Sequence, residues 1–146
     1  MNSTSADLNP ASSRLDAALL FLRIASAMAF LYHGSGILFG AFGGPGPQKF
    51  AAFLHAPAIV GYLVGLAQFC GALAILFGVL IRVGALCIIV VMLGAIFIAH
   101  LPHGFDVSKG GFEYALTQLL IALALLLTGA GRYSLALMMP AGLRKL

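Results

Sequence analysis

Long apolar runs, separated by short polar or Gly/Pro-rich breaks, divide this chain into four segments. A helix needs about 20 apolar residues to cross the hydrocarbon of a bilayer. Stretches at about 17–40, 58–80, 83–101 and 113–128 approach that length. The first break, Ala41–Pro57, holds a Gly-Gly-Pro-Gly-Pro-Gln stretch whose Pro47 and glycines end any continuous helix. Its Gln48–His55 portion predicts a short interfacial helix. The second break is a few residues around Arg82, so the flanking segments must form an antiparallel hairpin. The third, Pro102–Phe112, is polar and glycine-rich. The expected fold is all-α: a polytopic membrane protein with a four-helix transmembrane bundle. Residues 1–14 are expected to be a disordered cytoplasmic tail, 15–136 the membrane domain, and 137–146 a cytoplasmic C-terminal tail. The first apolar run is long and carries Arg23, unlike a cleaved signal peptide, so it is expected to stay as a helix.

Composition strengthens the membrane reading. The 146 residues are 62% hydrophobic and 8% charged, with a mean hydropathy of +1.07, whereas soluble domains carry about 25% charged residues. The length allows one domain. Net charge is +4, but the cations are scattered singly, so the chain offers no nucleic-acid patch and its charge reads as topology. Arg14, Arg23, Arg82, Arg132, Arg144 and Lys145 fall at one side of the four segments, and Lys49 and Lys109 at the other. The positive-inside rule then places both termini in the cytoplasm (N-in, C-in). The 18 glycines fit close helix packing in lipid, and Gly36-x-x-x-Gly40 and Gly61-x-x-x-Gly65 have the spacing of helix-association motifs.

Polar residues within the apolar runs carry the candidate chemistry. At about 1.5 Å per residue, His33 and His100 fall near the outer ends of the first and third segments, at similar depth. Glu113 opens the fourth from the same side, where a carboxylate suits the positive end of the helix dipole. Gln68 lies near the membrane middle. Ionisable groups at membrane depth usually face a cavity or the bundle interior. His33, Gln68, His100 and Glu113 are therefore the candidate ligand-binding residues of an outward-opening pocket, with His33, His100 and Glu113 the candidates for catalysis. Plainer readings stand beside this one. The histidines could hydrogen-bond headgroups, water or a loop carbonyl, Glu113 could serve its helix end, and Gln68 could join helices. His55, His103 and Asp106 fall in the outer loops. Tyr32, Tyr62 and Tyr114 fit an aromatic belt. Arg82 and Arg132 read as topology anchors; Arg23 is less simple, lying about two turns inside the first helix, although snorkelling to the inner interface would still satisfy it. Cys70 and Cys87 are placed about 9 Å apart in depth, beyond disulfide reach. No metal-ligand motif is present, and haem held between His33 and His100 is disfavoured.

Several pieces, in this order and spacing, resemble the DoxX family of small bacterial membrane proteins, related to the DoxD subunit of thiosulfate:quinone oxidoreductase. They are Arg23 with His33-Gly34, Leu38–Pro47, Leu76–Leu86, Met92–Phe105, Gly110–Leu116 and Thr128–Leu135. The likeness covers residues 20 to 136. It implies a four-helix bundle in the bacterial cytoplasmic (inner) membrane, often encoded beside redox proteins and in some cases passing electrons to the quinone pool. The expected function is a membrane subunit of a redox or respiratory system that holds a quinone-type molecule in the outer-half pocket, with a soluble or membrane redox partner or a second copy. A histidine would hydrogen-bond the quinone carbonyl and move a proton, and Glu113 would relay it outward. The rival readings are a non-catalytic membrane anchor or assembly partner and, behind it, a small-solute transporter that would need to dimerise. Ile37, Gln68 and Ala136 stand where similar members commonly carry Lys, Glu and Asp.

Overall fold

The computed structural model describes residues 10–140 and 142. Every regular element in it is helical. Helix α1 is Pro10–Phe39, α2 is Gly46–Phe53, α3 is Ala58–Phe77, α4 is Ile81–Gly94 and α5 is Glu113–Thr128. The first helix starts upstream of the expected Ala17 and takes in residues 10–14, which the sequence assigned to a tail. Residues 1–9 of that tail, and Arg144 and Lys145 at the other terminus, lie outside the described residues. The interfacial helix expected after Gln48 is α2, with Pro47 in its first turn, where a missing N–H costs nothing. Gly78 closes α3 at φ 66 and Leu80 turns the chain into α4 at φ 51.

Helix α4 does not stop at Gly94. It widens into a π turn over Ala95–His100 and a 3-10 turn over Leu101–His103. Pro102 explains the change. Its ring clashes with the carbonyl four residues back in a regular α-helix and donates no hydrogen bond, so the ladder loosens ahead of it.

The buried positions recur at helical spacing. On α1 they include Asp16, Leu19, Arg23, Ser26, Ala27, Phe30, Gly34 and Ile37; on α3 Gly61, Gly65, Gln68, Gly71, Ala72 and Ile75; on α5 Ala115, Gln118, Leu119, Ala122 and Leu125. These inward stripes mix small and polar side chains with a core of large apolar ones, among them Leu19, Phe30, Ile75 and Leu125. Phe21, Met28, Phe39, Leu63, Val90, Phe97 and Leu127 point outward and are exposed. A protein surrounded by water would keep such large apolar side chains off so much of its outer surface; lipid accepts them. By length and composition, the helices within Ser12–Phe39, Ala58–Phe77 and Ile81–His103 can cross a membrane. Helix α5 is apolar but only 16 residues long, about 24 Å against a hydrocarbon layer of about 30 Å.

Helix α1 packs on α3, α3 on α4, α4 on α5, and α5 returns to α1. Close approach depends on missing side chains. A Cβ on Gly34 would lie 2.7 Å from the backbone nitrogen of Phe69, and one on Gly65 would lie 2.7 Å from Leu38 Cγ. Gly61 packs against the Pro47 carbonyl and Gly36 against Gly44. Glycines of both helix-association spacings are thus used for packing within this chain.

The depth reading of the two cysteines needs correction. Gly71, next to Cys70, lies against Cys87, whose Cβ would be 3.4 Å from a Cβ built on the glycine, so the thiols are close to level. Both are free, with Cys70 exposed on α3 and Cys87 partly covered. Level depth follows from α3 ending at Phe77 and α4 starting at Ile81, a turn two to three residues earlier in the chain than the sequence suggested.

Candidate functional site

The termini of the long helices alternate, so the molecule has two distinct ends. At one, His33 of α1 faces Tyr114 in the first turn of α5, with ring centroids 6.4 Å apart. At the other, the lower half of α1 meets the C-terminal ends of α3 and α5 through Arg23. Arg14, Arg82 and Arg132 lie at the Arg23 end and are exposed, and Lys49 and Lys109 are exposed at the His33 end.

His33, Gln68, His100 and Glu113 all sit in the half of the molecule away from Arg23, but they do not form one set. Nδ1 of His100 is 2.6 Å from the Gly110 carbonyl, a distance at which the ring N–H donates to that oxygen. Oε2 of Glu113 accepts the backbone N–H of Val107 at 3.2 Å, and its own N–H donates to the Phe105 carbonyl. Asp106 accepts from both the hydroxyl and the backbone N–H of Ser108, which holds its carboxyl below the ordinary range. These residues fold the 101–112 loop. His100 and Glu113 therefore have local partners, and no hydrogen bond links either to His33 or Gln68 among the described residues. His103 joins the same loop, with Nδ1 3.2 Å from the Ala99 carbonyl. His55, at φ 52, closes α2 and is exposed.

The neighbours of the exposed His33 and of Gly34 come from α3 and α5. Gln68 is 5% exposed, and its Cβ is 3.1 Å from where a Cβ on Gly34 would stand. Thus the His33-Gly34 pair sits between Gln68 on α3 and Tyr114 on α5. One turn further along α5, within hydrogen-bonding reach of Tyr114, is Gln118, 6% exposed. Its Oε1 is buried without a hydrogen-bond partner. Ser26, deeper on the inner stripe of α1, likewise has a buried hydroxyl without a partner.

The sequence reading missed Gln118. The signal was available, since Ala115, Gln118, Ala122 and Leu125 recur at helical spacing in an apolar helix, but which face turned inward was not. The three tyrosines read as an aromatic belt are all exposed, Tyr114 as much as Tyr62, with Tyr32 stacking on Phe42 at 5.1 Å, Tyr62 accepting from Gln48 Nε2 at 2.9 Å and Tyr114 beside His33.

Arg23 does not snorkel. It is 1% exposed and donates from Nε to the Ile75 carbonyl at 2.8 Å and from Nη2 to Leu76 at 2.6 Å. From Nη1 it donates to Ala130 at 2.9 Å and Tyr133 at 2.6 Å. The first two are carbonyls in the last turn of α3, that of Ile75 also accepting the capping Gly78 N–H at 3.2 Å, and the others belong to the non-helical chain after α5. Asp16, two turns earlier on the same stripe and also missed, accepts the Arg132 backbone N–H at 3.0 Å. Among the described residues, no three His, Cys, Asp or Glu side chains are grouped to hold a metal ion.

No curated protein and no solved structure matches the chain. A family model does match: DoxX, over residues 18–101. It covers Arg23, His33-Gly34, the glycine-rich first loop and the α3–α4 hairpin, and stops before the Gly110–Leu116 and Thr128–Leu135 pieces that extended the resemblance to residue 136. The match takes in α1 to the π turn, more than half of the 146 residues, and the protein belongs to the DoxX family.

Proposed function

We propose that the chain crosses the bacterial cytoplasmic membrane four times, with the Arg23 end in the cytoplasm, and holds a quinone-type molecule at the opposite end as the membrane subunit of a redox system. The ligand site is His33, Gln68, Tyr114 and Gln118. The carrying observation is the buried Oε1 of Gln118, without a partner, one turn from the tyrosine that faces His33. A buried polar atom left unpaired costs about 1–3 kcal/mol, and a ligand carrying a polar head would remove that cost. A carboxamide offers both a donor and an acceptor, as does an imidazole. Together they suit a head that presents carbonyls when oxidised and hydroxyls when reduced. The apolar tail of a quinone would lie along the exposed aliphatic faces, in the bilayer. His33 is then the proton-handling residue, while His100 and Glu113 hold the loop above. Electrons would pass through a partner protein or a bound cofactor. The inward Arg23 end follows from the separation of the cations, and the fourth crossing consists of α5 continued by the non-helical residues that Arg23 and Asp16 hold.

Binding of a short-chain benzoquinone to the detergent-purified chain, followed by flow dialysis, tests this reading. Gln118→Leu keeps the side-chain volume and removes the amide. It should weaken binding roughly tenfold, the loss of one buried hydrogen bond of about 1.4 kcal/mol, as should His33→Ala. His100→Ala should leave the affinity unchanged. Undiminished binding in both Gln118→Leu and His33→Ala, with monodisperse protein, would overturn the assignment.

A further inference from the structure

The Arg23 end holds a shallow, open cavity of about 300 Å³. Its walls are Leu73, Ala74 and Phe77 of α3, Val79 and Leu80 of the following turn, and Leu135. No polar side chain lines it, yet charge lies directly behind it. Phe77 and Val79 flank Gly78, and a Cβ on Gly78 would lie 2.5 Å from the Ser134 side chain and 2.8 Å from Arg23 Nη2. The buried guanidinium therefore backs the wall of the cavity, one residue behind its lining.

Charge at this end is unbalanced. Among the described residues it carries Arg14, Arg23, Arg82 and Arg132 against the carboxylate of Asp16, and none of these arginines is in an ion pair, the one at hand being Lys109–Asp106 at the other end. Arg23 is bound to carbonyls alone. Arg82 follows Leu80 by two positions, Arg132 precedes Leu135 by three, and both are exposed. An occupant that joins an apolar chain to an anionic head would complement both the apolar wall and the excess of cations at this end.

We propose that this cavity is a binding site for an anionic phospholipid of the adjacent leaflet, with an acyl chain between α3 and Leu135 and the phosphate at Arg82 and Arg132. Guanidinium groups bind phosphate oxygens in pairs of hydrogen bonds, and a cationic pocket at a helix end is the arrangement by which membrane proteins retain acidic lipids. A choline head would bring its own cation to the arginines, so the site discriminates by charge as well as by its apolar wall. This site is separate from the one around His33, and neither depends on the other.

Native mass spectrometry of the full chain in detergent, with equimolar dioleoylphosphatidylglycerol and dioleoylphosphatidylcholine, reads the preference. The expected result is retention of the glycerol lipid by roughly tenfold over the choline lipid. The double substitution Arg82→Ala with Arg132→Ala should remove the preference; both side chains are exposed and make no hydrogen bond among the described residues, so folding is preserved. Leu135→Trp, which fills the cavity from an exposed position, should lower retention of both lipids. Arg14→Ala, which removes a cation from the same end that neither lines the cavity nor neighbours its lining residues in sequence, should leave the preference intact. Equal retention of the two lipids by the unaltered chain would overturn the proposal, as would an Arg14→Ala effect as large as that of the double substitution.

Discussion

Arg23 shows why residue type decides the outcome at a single position. The guanidinium has five N–H donors in a rigid planar fork, and the surrounding backbone presents four carbonyls at hydrogen-bond distance. At membrane depth no water would satisfy those carbonyls, and each unpaired polar group is costly there. An ammonium has three donors on one atom and cannot span acceptors from α3 and from the chain after α5. Arg23→Lys is therefore expected to lower stability by about 2 kcal/mol or more, two hydrogen bonds' worth, and Arg23→Ala by more still. Thermal unfolding in detergent, followed by size exclusion, measures both. Equal melting of all three proteins would show that the hydrogen bonds stabilise nothing. The sequence revealed the cation at this depth. It did not reveal the acceptors, because Tyr133 lies 110 residues away along the chain.

At the scale of elements, small residues set the spacing between helices. Gly34 lets α1 meet the α3 backbone at Phe69, and that approach brings Gln68 beside His33-Gly34. A methyl at position 34 must push α3 away, an overpacking cost of about 1–3 kcal/mol. Gly94 has nothing within 4 Å of where a Cβ would stand, so alanine there should be neutral or raise helix stability by up to about 1 kcal/mol. Gly34→Ala should thus lower the melting temperature while Gly94→Ala does not, as read by circular dichroism at 222 nm. Matching behaviour of the two would mean that glycine acts here only through backbone propensity. The sequence placed α5 at 113–128, the range observed, because its flanking glycines and its apolar composition are local signals. The inward face of α5, and hence the burial of Gln118, is not local. It depends on how far the helix is rotated against α1 and α4. The same holds for the loop at 101–112, which recruited His100 and Glu113 from the pocket that their depth had suggested.

For the whole molecule, the solvent is legible in what is exposed. Large apolar side chains cover the outside, and the inner stripes hold Asp16, Arg23, Ser26, Gln68 and Gln118. The separation of arginines from Lys49 and Lys109 at opposite ends gives this membrane body a direction. With Cys70 and Cys87 replaced by alanine, Val107→Cys on intact spheroplasts is expected to react with a membrane-impermeant maleimide, and Ser13→Cys only after lysis. The reverse pattern would put the Arg23 end outside and overturn the orientation.

The sequence by itself determined that the chain is helical, where most helices begin and end, that it suits lipid, and which family it resembles. These are properties of runs, composition and charge order, which exist along one dimension. The tertiary structure decided which polar side chains meet: His33 with Tyr114, Gln68 with Gly34, Arg23 with carbonyls of α3 and of the chain after α5. A few tens of degrees of helix rotation turn a side chain from lipid to interior without changing its depth. Depth could be counted from the sequence; facing could not.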